Sequence, residues 1–83
     1  MKFKAEIEIM PLKSLLDPQG KAVSASMKNI DLPEIDNVRI GKHITLDVEA
    51  DSIELAESKV DTACKKILCN QIMESYSFKL SKY

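Results

Sequence analysis

The alternation at the start of this chain constrains its fold more than any other feature. In Lys2–Met10, Phe3, Ala5, Ile7 and Ile9 share one phase, and Lys2, Lys4, Glu6 and Glu8 share the other. A period of two sends these sets to opposite sides of a β-strand. One side must be buried and the other wetted, which calls for a sheet covered on a single face. Pro11 has no N–H for a ladder and ends the strand. The same period returns twice. Val38, Ile40, Lys42, Ile44, Leu46 and Val48 alternate with Arg39, Gly41, His43, Thr45 and Asp47, without a slip at Gly41. In the closing strand, residues 72–80, Tyr76, Phe78 and Leu80 alternate with Ser75, Ser77 and Lys79.

Two helix-length segments separate these strands. A loop through Lys13 and Ser14 leads from Pro11 to Leu16-Asp17-Pro18-Gln19-Gly20. Asp17 can accept hydrogen bonds from the free N–H groups of a first helical turn, and Pro18 suits the first helical position. The spacing predicts a helix from Pro18 to about Asn29 with a narrow stripe of Val23, Met27 and Ile30, stopped by Asp31, Leu32 and Pro33. Gly20 weakens that first turn by roughly 1 kcal/mol relative to Ala, so its small size or bare backbone is needed. Either its N–H groups face an anion or a partner's carboxylate, or this is a well-capped surface helix. The second helix starts at Asp51, with Glu54 in capping-box position. It presents Ala56, Val60, Ala63, Cys64, Ile67 and Leu68 as a broad apolar face and ends at Asn70 as a left-handed cap.

The element order is strand, helix, long strand, helix, strand. The unbroken phase across Gly41 favours one long strand, bent or bulged there. The alternative is a two-residue hairpin at Gly41-Lys42, which would pair Ile40 with His43 and put Ile44 and Leu46 on the other face. Lys42 lies in the apolar phase. Either a bulge turns it outward or its stem snorkels, or it reaches a subunit interface or a bound anion. The expected fold is an α+β two-layer sandwich, an antiparallel sheet with two helices on one face. If the long strand acts as two, the layout becomes the split βαβ, ferredoxin-like one. Lys2, Lys4, Glu6, Glu8, Arg39, His43, Thr45 and Asp47 then form the polar face. A strand that overshoots its own sheet can pair with a second copy, so a homodimer or larger assembly built through continued sheets is expected.

Eighty-three residues make one domain, 1–83. The formal net charge of -1 leaves no electrostatic footprint for nucleic acid or an anionic membrane. No apolar run approaches the roughly 18 residues of a membrane span, and the start lacks the apolar core of a signal peptide. A cytoplasmic location follows by default. Cys64 and Cys69 are five apart in a predicted helix, nearly a turn and a half, too far for a relaxed disulfide. Reduced thiols are expected, with Cys64 as core filler. The single histidine, His43, cannot by itself make a triad or a histidine metal site. The cysteines lack C-x-x-C spacing, and neither G-x-x-x-x-G-K-[ST] nor G-x-G-x-x-G occurs. No catalytic, cofactor-binding or metal residue is expected, and the residues describe a binding or assembly module.

Asp17-Pro18-Gln19-Gly20-Lys21-Ala22-Val23 resembles the D-P-Q-G-x-A-[VI] signature of PurS, the small subunit of phosphoribosylformylglycinamidine (FGAM) synthase. Val38-Arg39-Ile40-Gly41-Lys42 is similar to that family's second signature, V-R-[IVT]-G-K. The spacing between them, the second helix and the short closing strand also fit, so the resemblance covers essentially the whole chain. It departs at Ser14-Leu15-Leu16, where family members often carry a Gly, and at Asn70-Gln71, where Asn-Pro is common. The resemblance implies a non-catalytic subunit in de novo purine biosynthesis. As a dimer, such a subunit bridges a PurL-like synthetase and a PurQ-like glutaminase and supports transfer of glutamine-derived ammonia. The complex uses ATP, Mg and glutamine, while this chain binds no cofactor. Asp17, Pro18, Gln19, Gly20, Arg39, Gly41 and Lys42 are the candidate partner contacts. The alternative is a small ferredoxin-like regulatory module that binds a metabolite.

Overall fold

The alternating first residues become the middle strand of a three-stranded antiparallel sheet. In the computed structural model, which describes residues 1–13 and 17–83, β1 (Lys2–Pro11) lies between β2 (Lys42–Glu49) and β3 (Glu74–Lys82). Ser14, and with it part of the expected loop to Asp17, lies outside the described residues, as do Leu15 and Leu16. Helix α1 (Pro18–Ser26) continues as a 3-10 turn over Met27–Ile30, and α2 (Ile53–Ala63) continues as a π-turn over Cys64–Leu68. The α+β class, the antiparallel sheet and the two helices are as expected.

The register explains the core. Ile7 sits opposite Ile44 on one side and Phe78 on the other, and Ala5 opposite Leu46 and Leu80. Because β1 is flanked on both edges, Phe3, Ala5, Ile7 and Ile9 are fully buried, while the inward residues of β2 and β3 are partly buried. Helix α2 and the π-turn that continues it lay Ala56, Val60 and Cys64 on this face at helical spacing. Full burial of each of Ile7, Ile9 and Val60 contributes about 1.5–3 kcal/mol. The outer face is polar, with Lys2 and Asp47 3.8 Å apart, Glu8 against His43 and the Tyr83 hydroxyl donating to Asp47.

Several local expectations are corrected. The long strand shortens to Lys42–Glu49, and residues 38–41 lie outside the sheet. The hairpin at Gly41-Lys42 does not form, because Lys42 to Glu49 pair throughout with β1. Arg39 therefore leaves the polar sheet face. The cap of α2 is Ser52 and not Asp51, since Ser52 has the extended backbone of a cap and its Oγ accepts from Leu55 N at 3.3 Å. Asn70 is not left-handed. Instead Cys69 N donates to Cys64 O at 2.9 Å, a five-residue link that widens the last turn. The widening shifts the helical phase, so Leu68 packs on the core and Ile67 is 82% exposed. At the end of α1, Asp31 adopts a left-handed conformation (φ 62°) that stops the 3-10 turn, and Ile30 faces solvent.

Helix α1 lies at the end of the sheet, where β1 finishes and β2 and β3 begin. There it brings the two signature stretches together.

Candidate functional site

The geometry is set by Asp17. One carboxylate oxygen accepts from Gly20 N at 2.9 Å, closing the first turn of α1 as a side-chain cap. The other accepts from Ile40 N at 3.0 Å. Further along the helix, Ser24 Oγ accepts from Val38 N at 3.0 Å. Two side chains of α1 and its cap thus satisfy two backbone donors of a segment that has no strand partner among the described residues, as buried or half-buried N–H groups require. The bonds from Gly20 and Ile40, in that order, hold the Asp17 carboxyl below the usual carboxylate range, and the Arg39 guanidinium lowers it further.

Close approach makes this clamp possible. A Cβ on Gly20 would overlap the Val38 carbonyl oxygen and meet Asp17 Oδ2. A Cβ on Gly41 would overlap the Ile9 carbonyl and the Met10 sulfur. Neither glycine has positive φ, so both are needed for space and not for conformation. Gly20, expected as a partner contact, offers no exposed surface of its own. It is buried beneath the chain's own segment. Arg39 also turns inward, its guanidinium donating to the Pro11 carbonyl.

An open cleft of about 410 Å³ lies over this clamp, lined by Pro11, Asp17, Pro18, Gln19, Ile40, Gly41, Lys42 and Glu74. Five of the seven residues expected from sequence meet there, and Gly20 and Arg39 support it from behind. Lys42 keeps its apolar phase, but at the end of the sheet, opposite Ile9, it reaches Glu74 at 3.6 Å. Glu74 is held in turn by Asn70 N at 2.9 Å. Sequence reasoning missed Pro11, Ile40 and Glu74. Glu74 enters only through the β1–β3 register, which places it opposite Pro11, and no local pattern shows that. The cleft offers a lysine, an amide, two carboxylates and apolar rims. It holds no nucleophile beside a base, and no group of three or more metal-ligating side chains occurs among the described residues.

The family model for PurS, phosphoribosylformylglycinamidine (FGAM) synthase, matches residues 4–82. The chain belongs to the PurS family. It is similar to the phosphoribosylformylglycinamidine synthase subunit PurS of Synechocystis, with 37% identity over 79 residues, 95% of this chain and 79% of that protein. The crystal structure of Bacillus subtilis PurS superposes with a TM-score of 0.87 at 31% identity, covering 96% of this chain and 99% of that one. A chain in the structure of PurLQS from Thermotoga maritima gives 0.89 at 28% identity, covering 98% and 99%. Among the described residues, no helix of this PurS-family chain is long and apolar enough to cross a membrane.

Proposed function

We propose that this chain is the small, non-catalytic subunit of FGAM synthase in purine biosynthesis. It works in the cytoplasm as a homodimer or larger homo-oligomer, bridging a PurL-like synthetase and a PurQ-like glutaminase. The observation that carries this reading is the end-to-end match with a chain of the PurLQS structure. The physical need for such a subunit is simple. Ammonia released at one site is lost to solvent and to protonation unless the second site is held in register. A small sheet protein with a preformed cleft supplies that register without chemistry of its own. ATP, Mg and glutamine are handled by the partner subunits.

The partner contact falls on the exposed rim of the cleft, Pro18, Gln19, Gly41 and Lys42, while Asp17, Gly20 and Arg39 keep the rim in shape. The Lys42–Glu74 pair is solvent-exposed on the lysine side, and such pairs contribute about 0–1 kcal/mol to folding. Lys42→Gln should therefore leave the fold intact and weaken assembly. The test is reconstitution with PurL-like and PurQ-like subunits, read by co-elution and by glutamine-dependent FGAM synthesis. The wild-type chain is expected to join both partners, and the variant to need a several-fold higher concentration. Unchanged assembly of the variant removes Lys42 from the interface. Failure of the wild-type chain to join either partner removes the subunit reading.

A further inference from the structure

Cys64 and Cys69 take no part in the cleft contacts proposed above, yet the end of α2 brings them together. Five residues along a regular α-helix, they would point about 140° apart. The π-turn reduces that difference. Its hydrogen bond from Cys69 N to Cys64 O, 2.9 Å long, places the two residues one turn apart, the second above the first. Both thiols are free, and both side chains enter the same buried cluster with Ala5, Ile7, Ile9 and Val60. The widened turn thus brings the two residues closer in phase than a regular α-helix would, in one buried cluster.

We propose that Cys64 and Cys69 form a dithiol modification site, which closes to an intramolecular disulfide by exchange with a small-molecule disulfide. Cys69 is the entry point, being 6% exposed against 0% for Cys64. Its thiolate attacks one sulfur of the small disulfide, forming a mixed disulfide and releasing one small thiol. The Cys64 thiolate then attacks the Cys69 sulfur and releases the second. Two cysteine S–H groups and one S–S bond become one protein S–S bond and two small thiols. The protein dithiol is oxidised, the small disulfide is reduced, and the cysteine protons end on the released thiols.

Burial pushes both thiols up, so exchange waits on opening of the turn. The opening required is that of the last turn of α2, which carries Ile67 in solvent beside the two buried thiols. The residue after Cys69 is Asn70, whose N–H holds Glu74, the partner of Lys42 at the cleft. The dithiol is therefore placed to stiffen the segment that positions one wall of the cleft.

The test uses the purified full chain under native conditions, incubated with oxidised glutathione and read by intact mass and unreduced peptide mapping. The expected product is a single chain without interchain links, lighter by two hydrogens and carrying a Cys64–Cys69 link that dithiothreitol reverses. The Cys64→Ser variant is expected to stop at a glutathione adduct on Cys69. A wild-type chain that keeps both thiols, stops at the mixed adduct or links only between chains overturns the proposal.

Discussion

Gly20 and Gly41 are small for the same reason. Another stretch of this chain's own backbone occupies the space a Cβ would take. For Gly20 two effects oppose each other. Alanine is the better helix former by about 0.8–1 kcal/mol, but the atom in the way is a backbone carbonyl, which cannot swing aside as a side-chain tip can. Forced overpacking typically costs about 1–3 kcal/mol, so the steric term wins. Gly20→Ala should lower stability in a denaturant titration, although propensity alone predicts a gain. Asp17 gives a second check at this scale. Its folded pKa is depressed, so its contribution is fully present above the unfolded value, about 3.9, and is lost as pH falls through the folded one. In an NMR titration the amides of Gly20 and Ile40 should move together, with a midpoint below the ordinary carboxylate value. Asp17→Asn should abolish that step and free the Ile40 N–H. Independent midpoints for the two amides would show that the clamp does not form.

At the scale of elements, hydrophobic period was legible wherever burial is simple. Phe3, Ala5, Ile7 and Ile9 on β1, and Ala56 and Val60 on α2 with Cys64 just after it, are buried as their spacing predicts. Misreadings fall where a tertiary contact overrides local chemistry. Asp51 and Ser52 are both acceptable caps, and only backbone geometry selects Ser52. Ile67 fits an α-helical stripe, but the π-turn rotates it into solvent. The two glycines were legible as anomalies, while the reason for them, a crossing by the chain's own 38–41 segment, depends on contacts distant in sequence. The Tyr76–Asp61 bond is similarly non-local, joining β3 to α2 through the tyrosine hydroxyl. Hydrogen bonding to Asp61 comes first in pushing the Tyr76 hydroxyl up to about 12, with burial adding to it. A raised pKa gives stability that is complete below the unfolded value, about 10, and is lost as pH rises through the folded one. Tyr76→Phe should therefore remove part of the stability loss that the wild type shows between those values. Tyrosinate absorbance of the variant should report only Tyr83, itself raised by Asp47. An unchanged alkaline unfolding profile would show that the bond contributes nothing.

At the scale of the whole molecule, shape decides between a self-sufficient monomer and a component of an assembly. A compact domain of this length has a radius of gyration of about 12 Å, against 16.5 Å here, with extents of 52 × 27 × 14 Å. The accessible surface is 5994 Å², whereas a folded monomer of this mass exposes about 5,000 Å². The excess is partly apolar, since Ile30, Ile35, Ile67 and Ile72 stand in solvent. Among the described residues, both outer strands, β2 and β3, also leave one edge unpaired. Helix α2 packs on the sheet core, and α1 is held at the sheet's end by the Asp17 and Ser24 bonds. In the proposed homo-oligomer, association would bury part of this apolar surface and pair the open strand edges. Sedimentation equilibrium at micromolar concentration should therefore give at least twice the 9.3 kDa chain mass. The melting temperature should rise with protein concentration, as mass action requires when association stabilises the fold. A monomer whose melting temperature is independent of concentration would mean that the sheet and the clamp suffice alone. The exposed isoleucines would then belong to contacts with other subunits and not with a second copy.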